Sequence, residues 1–202
     1  MSRLPQFDSL PEKVRAFVAL RMGAEVEAAI GDLINHLREI PSGTRWVSRE
    51  NLHLTLRFLG DSCDRNLLAA LDRHLNWIAA RTLPFVLSVR GTGVFPNLNR
   101  PRVIWLGLTG AMLLELAQQV EAAARQAGFA AESRPYSPHL TIGRVRDLTG
   151  WQRIRAILNR ASNQEFGSAY IAEMMLYRSI LGGPSPQYQE INRYQFGTTP
   201  IP

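Results

Sequence analysis

The order of apolar and polar positions along the chain predicts a mixture of strands and helices. Short apolar or alternating runs, which are typical of strands, cover residues 14–20, 45–48, 51–59, 84–94, 102–108, 139–145, 169–179 and 187–196. Apolar residues recur at helical spacing over residues 24–39, 67–81, 112–127 and 151–161. Because strands and helices do not alternate strictly, the pattern favours an α+β fold with a mainly antiparallel sheet.

Turn-forming residues separate these elements. Gly, Pro, Asn and Asp predict turns at residues 61–64 and 182–185 and loops at residues 95–101 and 134–138. The pattern is continuous enough to indicate one domain of ordinary size. We therefore expect an N-terminal extension over residues 1–13, a single domain over residues 14–197 and a C-terminal tail over residues 198–202.

Composition adds a charge bias to this picture. The net charge is +6, and Lys13 is the only lysine among the basic residues. Arginine holds phosphate through two parallel hydrogen bonds, so the chain is a candidate for binding a polyanion, although a general compositional bias gives the same excess. Cys63 is the only cysteine, which excludes an intramolecular disulfide. With no signal peptide and no apolar run of ~20 residues, we expect a cytoplasmic protein without a membrane partner.

Two segments repeat the same side-chain pattern. His53-Leu54-Thr55 and His139-Leu140-Thr141 are each followed by a further apolar residue. Side chains alternate between the faces of a strand, so His53, Thr55 and Arg57 are predicted to share one face, as are His139 and Thr141. One such motif is an ordinary polar strand face. Two identical ones predict that both pairs line one cleft.

The residue types in these motifs suit displacement at phosphorus. Imidazole, with a pKa of ~6.5, can act as general base or general acid near neutral pH. Threonine hydroxyls can donate to phosphoryl oxygens, and Arg57 could stabilise developing negative charge. A zinc site is disfavoured because threonine is a poor zinc ligand. Simple strand alternation turns Arg144 away from His139, unless a bulge changes its direction. Four further residues are candidate RNA contacts, with core packing as the alternative for the aromatic ones: Phe58, Tyr136, Arg102 and Arg134.

Together these segments resemble the 2H phosphoesterase superfamily, and more closely the RNA 2′,3′-cyclic phosphodiesterases, historically called 2′-5′ RNA ligases. The paired His-x-Thr motifs carry the resemblance, which extends over roughly residues 14–196. It also includes the segments around them, at residues 15–20, 45–47, 50–60, 95–105, 136–142 and 176–179.

The resemblance implies a structure and a reaction. The fold would be bilobal, with two pseudo-symmetric lobes of mainly antiparallel sheet and outer helices around a central cleft. The reaction would hydrolyse a 2′,3′-cyclic phosphate to a 2′-phosphate. His53 would be the proton donor and His139 the proton acceptor, while Thr55 and Thr141 would hold the phosphate. The resemblance implies no metal, no organic cofactor and no obligate protein partner.

Other functions remain open at this stage. The same site could perform reversible 2′-5′ ligation of tRNA halves, or open the cyclic phosphate of a small nucleotide instead of RNA. A third alternative is an RNA-binding module without catalysis. Against that alternative, neither histidine and neither threonine of the two motifs is replaced.

Overall fold

The computed structural model of the chain describes residues 5–183 and 185–197. The described helices are α1 Pro5–Asp8, α2 Ala24–Arg38, α3 Arg65–Arg81, α4 Leu113–Gln126 and α5 Trp151–Arg160, with a 3₁₀ turn at Arg49–Asn51. The strands are β1 Lys13–Leu20, β2 Thr44–Trp46, β3 Leu54–Asp64, β4 Phe85–Phe95, β5 Val103–Thr109, β6 His139–Val145, β7 Glu165–Ile171, β8 Glu173–Ile180 and β9 Gln187–Gln195.

The described strands form one sheet that is divided near its middle. Their order is β7-β4-β5-β6-β3-β1-β8-β9, β2 pairs with β6, and the pairings are antiparallel. Strands β3 and β6 are joined through one residue pair, Leu54 with Leu140. We call β1, β3, β8 and β9 the first lobe, and β2, β4, β5, β6 and β7 the second lobe. The predicted α+β fold with two lobes of antiparallel sheet is confirmed.

Two helices cross from one lobe to the other. Helix α2 follows β1 of the first lobe but packs against β7 of the second, whereas α4 follows β5 of the second lobe and packs against β3 and α3. Apolar residues at helical spacing explain the packing: α2 buries Val26, Ile30 and Ile34. The two lobes consequently share one continuous apolar core. None of the described helices is long and apolar enough to cross a membrane.

The predicted strand over residues 169–179 is wrong. Strand β7 ends at Ile171 and β8 begins at Glu173. The two strands lie in different lobes, β7 beside β4 and β8 beside β1. Apolar and polar positions continue without a glycine or proline across Ala172, so nothing local signals that the chain leaves one lobe for the other there.

Strand β3 also differs from its prediction at both ends. Its motif is preceded by a 3₁₀ turn, so that the strand begins at Leu54 and not at residue 51. The predicted turn at residues 61–64 is wrong, because the strand continues to Asp64, which pairs with Lys13 of β1. Asp64 then caps α3 by accepting a hydrogen bond from the Asn66 backbone N–H at 2.8 Å.

The described part of the N-terminal extension packs on the domain. Helix α1 contacts α3, and Phe7 is buried in the shared core. Arg65 donates to the backbone carbonyls of Asp8 and Leu10. The tail at residues 198–202, and Pro184 within the predicted turn at residues 182–185, lie outside the described residues.

Candidate active site

The two motifs meet where the two lobes join. Leu54 pairs with Leu140 in antiparallel register, and both leucines are buried in the core. Continuing that register places His53 beside Thr141 and Thr55 beside His139. Because neighbouring residues on a strand face opposite sides, these four polar side chains project from the side away from the core. The two histidines are close enough for the charge of His139 to act on His53.

Both imidazoles are oriented in the same way. Nδ1 of His53 is 2.7 Å from the carbonyl oxygen of Asn51, and Nδ1 of His139 is 2.8 Å from that of Ser137. A carbonyl oxygen can only accept, so Nδ1 carries the hydrogen in each ring. Nε2 is therefore the nitrogen left for proton transfer, as acceptor in the neutral ring and as donor in the imidazolium.

The surroundings of the two rings are unequal. His53 stacks on Phe17 at a centroid distance of 4.8 Å and meets the edge of Tyr188 at 5.0 Å. His139 meets Phe95 edge to face at 5.0 Å. Burial lowers the pKa of His53 to about 4, and the positive charges of Arg21 and Arg144 act in the same direction, against the hydrogen bond to Asn51. In the free protein at neutral pH, His53 is therefore uncharged.

Each motif contains a β-bulge at the same position. In the first motif Ala19 pairs with Thr55 and Val18 with Arg57. In the second, Trp105 pairs with Thr141 and Ile104 with Gly143. One residue is therefore extra in each motif strand, Leu56 in the first and Ile142 in the second. A bulge interrupts the alternation of faces, so the strand rule holds up to the threonine and fails after it.

The predicted position of Arg57 on the face of His53 is wrong. The bulge puts Arg57 opposite Val18, a residue of the shared core. Its guanidinium is buried and forms an ion pair with Glu121 of α4, and it donates to the carbonyl oxygen of Ala130 at 2.5 Å. A second carboxylate, that of Glu132, lies 3.7 Å away. Arg57 thus contacts the segment leading to the second motif. It is not proposed as a ligand of the phosphate.

The bulges also redirect the residues that follow. Phe58 pairs with Phe17 and so returns to the cleft side, where it packs with the aromatic cluster beside His53. Arg144 is the equivalent residue of the second motif and pairs with Val103. It faces the cleft, in contrast to the alternation rule. The positive charge of Arg144 acts on both His53 and Tyr188, which agrees with this position.

The remaining predicted RNA contacts lie in different places. Tyr136 is half-buried and donates its hydroxyl to the carbonyl oxygen of Thr55 at 3.1 Å, and burial raises its pKa. Tyr136 thereby connects the second-motif segment to the first motif. Arg134 is exposed, with Glu132 3.7 Å from it. Arg102 lines a separate surface cavity beside the loop that precedes β5.

Several residues at the site were not selected from the sequence. Phe17 and Tyr188 pack against the ring of His53, and the positive charge of Arg144 acts on the same ring. Internal repetition could have identified Arg144, since Phe58 and Arg144 occupy the same place in the two motifs. The aromatic residues come from distant strands and carry no local signal. Among the described residues, no three His, Cys, Asp or Glu side chains are grouped closely enough to hold a metal ion.

The sequence matches a family model described as LigT-like phosphoesterase over residues 22–105 and 109–188. It is 32% identical over 188 residues to the RNA 2′,3′-cyclic phosphodiesterase of Methanothermobacter thermautotrophicus, covering 91% of this chain and 99% of that protein. Two crystal structures are similar. E. coli LigT complexed with 3′-AMP has a TM-score of 0.74 at 27% identity, covering 92% of this chain and 99% of that one. The TT0787 protein of Thermus thermophilus has a TM-score of 0.79 at 26% identity, covering 92% and 100%.

Proposed function

The chain belongs to the LigT-like phosphoesterase family, and on that basis we propose that it hydrolyses the 2′,3′-cyclic phosphate at an RNA end to a 2′-phosphomonoester. One observation carries the proposal. Two His-Leu-Thr motifs meet at the Leu54–Leu140 pair with both Nε2 atoms left for chemistry. The relative from Methanothermobacter is named for this activity, and a LigT crystal structure contains a nucleoside monophosphate.

The reaction needs one base and one acid on opposite sides of the phosphorus. His139, with Nε2 unprotonated, accepts a proton from water while the water oxygen forms a bond to phosphorus. The bond from phosphorus to the 3′ oxygen breaks, and His53 donates the proton that this oxygen takes up. The products are a 2′-phosphomonoester and a free 3′ hydroxyl. The hydroxyls of Thr55 and Thr141 donate to the non-bridging oxygens and hold the phosphate between the two rings.

His53 must be protonated to act as the donor. Its low pKa keeps it neutral in the free protein, but an anionic phosphate beside the ring favours the imidazolium. The hydrogen bond from Nδ1 to Asn51 supports the same charged form. Substrate binding therefore raises the pKa of His53, so that the ring takes up a proton from solvent and can act as the acid.

This mechanism uses neither a metal ion nor an organic cofactor. Phe58 and Arg134 are proposed to contact the RNA, Phe58 by stacking on a base and Arg134 by pairing with a phosphate. Tyr136 is proposed to contact the RNA only at the edge of the site, because its hydroxyl already donates to the carbonyl oxygen of Thr55. We also propose a cytoplasmic location, since the single cysteine, Cys63, is a free thiol.

The proposal is tested by turnover of a short RNA that ends in a 2′,3′-cyclic phosphate, in the presence of a metal chelator. We expect conversion to the 2′-phosphate, identified by chromatography against 2′- and 3′-phosphate standards. A 3′-phosphate product would contradict the assigned leaving oxygen. Loss of activity in chelator that returns with added metal would contradict the mechanism, and absence of turnover would contradict the function.

The roles of the histidines are tested by His53→Ala and His139→Ala. General acid–base catalysis contributes about 10²–10⁴-fold, so each variant should lose activity by that order. His36→Ala is the matched control, because His36 is exposed on α2 and pairs only loosely with Glu39. If either site variant kept activity close to that of the control, its histidine would not be the group that transfers the proton.

A further inference from the structure

Two arginines stand side by side at one end of the cleft. Arg45 of β2 pairs directly with Arg144 of β6, and Val103 of β5 pairs with Arg144 from the other side. Arg144 follows Thr141 by three residues, about 10 Å along the strand. The two guanidinium groups therefore lie next to the four motif side chains without belonging to them.

The charges of these two arginines are uncompensated. Like charges directly opposite each other on neighbouring strands destabilise a sheet. Neither Arg45 nor Arg144 forms an ion pair with a carboxylate of the described residues. One terminal guanidinium nitrogen of Arg45 is also buried, without a hydrogen-bond acceptor in the described part of the chain. A buried donor without an acceptor is costly, and a bound anion would remove both penalties.

The basic surface continues past the end of β6. A cavity of about 250 Å³ lies between the β4–β5 loop and the segment after β6, and its lining includes Arg100, Arg102 and Arg146. Asp147 is the carboxylate in that lining, and it accepts a hydrogen bond from the backbone N–H of Thr149. No ion pair joins the three arginines to an acid within residues 5–183 and 185–197. The cavity is adjacent to Arg144 because Val145 also lines it.

We propose that Arg45, Arg144 and the cavity of Arg100, Arg102 and Arg146 bind the phosphodiester groups of the RNA strand that precedes the reacting end. This inference rests on the proposed function and adds to it the direction in which the RNA strand leaves the site. The cyclic phosphate lies between the histidines, and the strand leaves along β6 toward residue 146. Arginine suits this role because its planar fork matches the oxygens of a phosphate.

The proposed site makes substrate length a determinant of affinity. A nucleoside 2′,3′-cyclic phosphate reaches the histidines but has no preceding phosphodiester, so it gains nothing from the arginines. An oligonucleotide gains a contact for each phosphate along the path. Binding of the longer substrate should also weaken with salt, with a slope of roughly 0.7 per phosphate contact on a log–log plot.

Binding is measured with a fluorescent RNA hexamer carrying a 2′-phosphate end, by anisotropy over a range of salt concentrations. Two double variants remove two positive charges each, Arg45→Gln/Arg144→Gln and Arg102→Gln/Arg146→Gln. The control double variant, Arg125→Gln/Arg153→Gln, removes the same charge from exposed positions on α4 and α5. We expect Kd to rise about tenfold or more in each test variant, with a smaller salt slope. An equal rise of Kd in the control variant would show that the effect comes from net charge alone, and this would overturn the proposal.

Turnover separates this inference from the proposed function. For the hexamer with a 2′,3′-cyclic phosphate, kcat/KM should fall at least tenfold further in the test variants than it does for the mononucleotide. Equal losses on both substrates would assign the arginines to the reacting phosphate and overturn the proposal. If the wild-type protein turned over neither substrate, the proposed function would fail, while the anisotropy result would still decide whether the arginines bind RNA. Thermal unfolding of each variant identifies any loss that comes from misfolding.

Discussion

At the scale of single residues, the two histidines differ in their aromatic contacts although their motifs are identical. Burial lowers the pKa of His53 to about 4, and Phe17 and Tyr188 are the aromatic rings packed against it. The pH profile of kcat/KM reports groups of the free enzyme, whereas that of kcat reports the complex. We predict a lower apparent pKa near 4 in kcat/KM. In kcat this value should move upward, because the bound phosphate anion favours the imidazolium.

The same shift affects stability. The unfolded chain protonates His53 at a pKa of ~6.5, so between pH 6.5 and about 4 the unfolded state binds the additional proton. The free energy of unfolding therefore decreases as the pH falls through this range.

Phe17→Leu should raise the lower apparent pKa in the kcat/KM profile, because it would expose the ring of His53 to water. A lower apparent pKa already near 6.5 in wild-type kcat/KM would show that the aromatic contacts do not desolvate His53.

At the scale of elements, Arg57 connects the strand of the first motif to the segment that precedes the second. It contacts Glu121 of α4, and also Ala130 and Glu132, which lie just before Tyr136 and His139. We predict that Arg57→Met lowers the free energy of unfolding by about 1–3 kcal/mol. It should also lower kcat more than it raises KM, because His139 would lose its fixed position while the arginines of the cleft remain.

Arg65→Met is the matched control for Arg57→Met. Arg65 likewise donates to backbone carbonyls of a distant segment, those of Asp8 and Leu10, but this segment does not lead to the second motif. Urea unfolding and steady-state kinetics of both variants decide the question. If the two variants lost stability equally and neither changed kcat, Arg57 would stabilise the fold without positioning His139.

Most elements, and the shared face of the histidine and threonine within each motif, can be predicted from the sequence. Alternation from His53 to Thr55 and from His139 to Thr141 depends only on strand geometry, and each motif strand keeps that geometry up to its bulge. Alternation gives the wrong face for Arg57, and for Arg144 it is correct only without a bulge, because a bulge is set by pairing with the neighbouring strand, which no local pattern records. The crossing at Ala172 was missed for a similar reason, since β7 and β8 acquire their partners only in the tertiary structure.

At the scale of the molecule, the exchange of α2 and α4 between the lobes keeps the two sides of the cleft together. Each lobe contributes a helix that fills the core of the other. The sheet itself is continuous across the junction through the Leu54–Leu140 pair. Separation of the lobes would therefore expose apolar surface on both of them, and this shared core holds the histidines opposite each other.

We accordingly predict that the two lobes unfold in one transition. Trp77→Phe removes an exposed tryptophan of α3 and leaves Trp46, Trp105 and Trp151, which lie in the second lobe or on its helix α5. In that background, Leu71→Ala removes a fully buried side chain of α3 and should cost about 2–5 kcal/mol. Because the core is shared, the urea midpoint from tryptophan fluorescence should fall together with that from far-UV circular dichroism. A fluorescence midpoint that stayed in place while the dichroism midpoint fell would show that the second lobe is stable by itself.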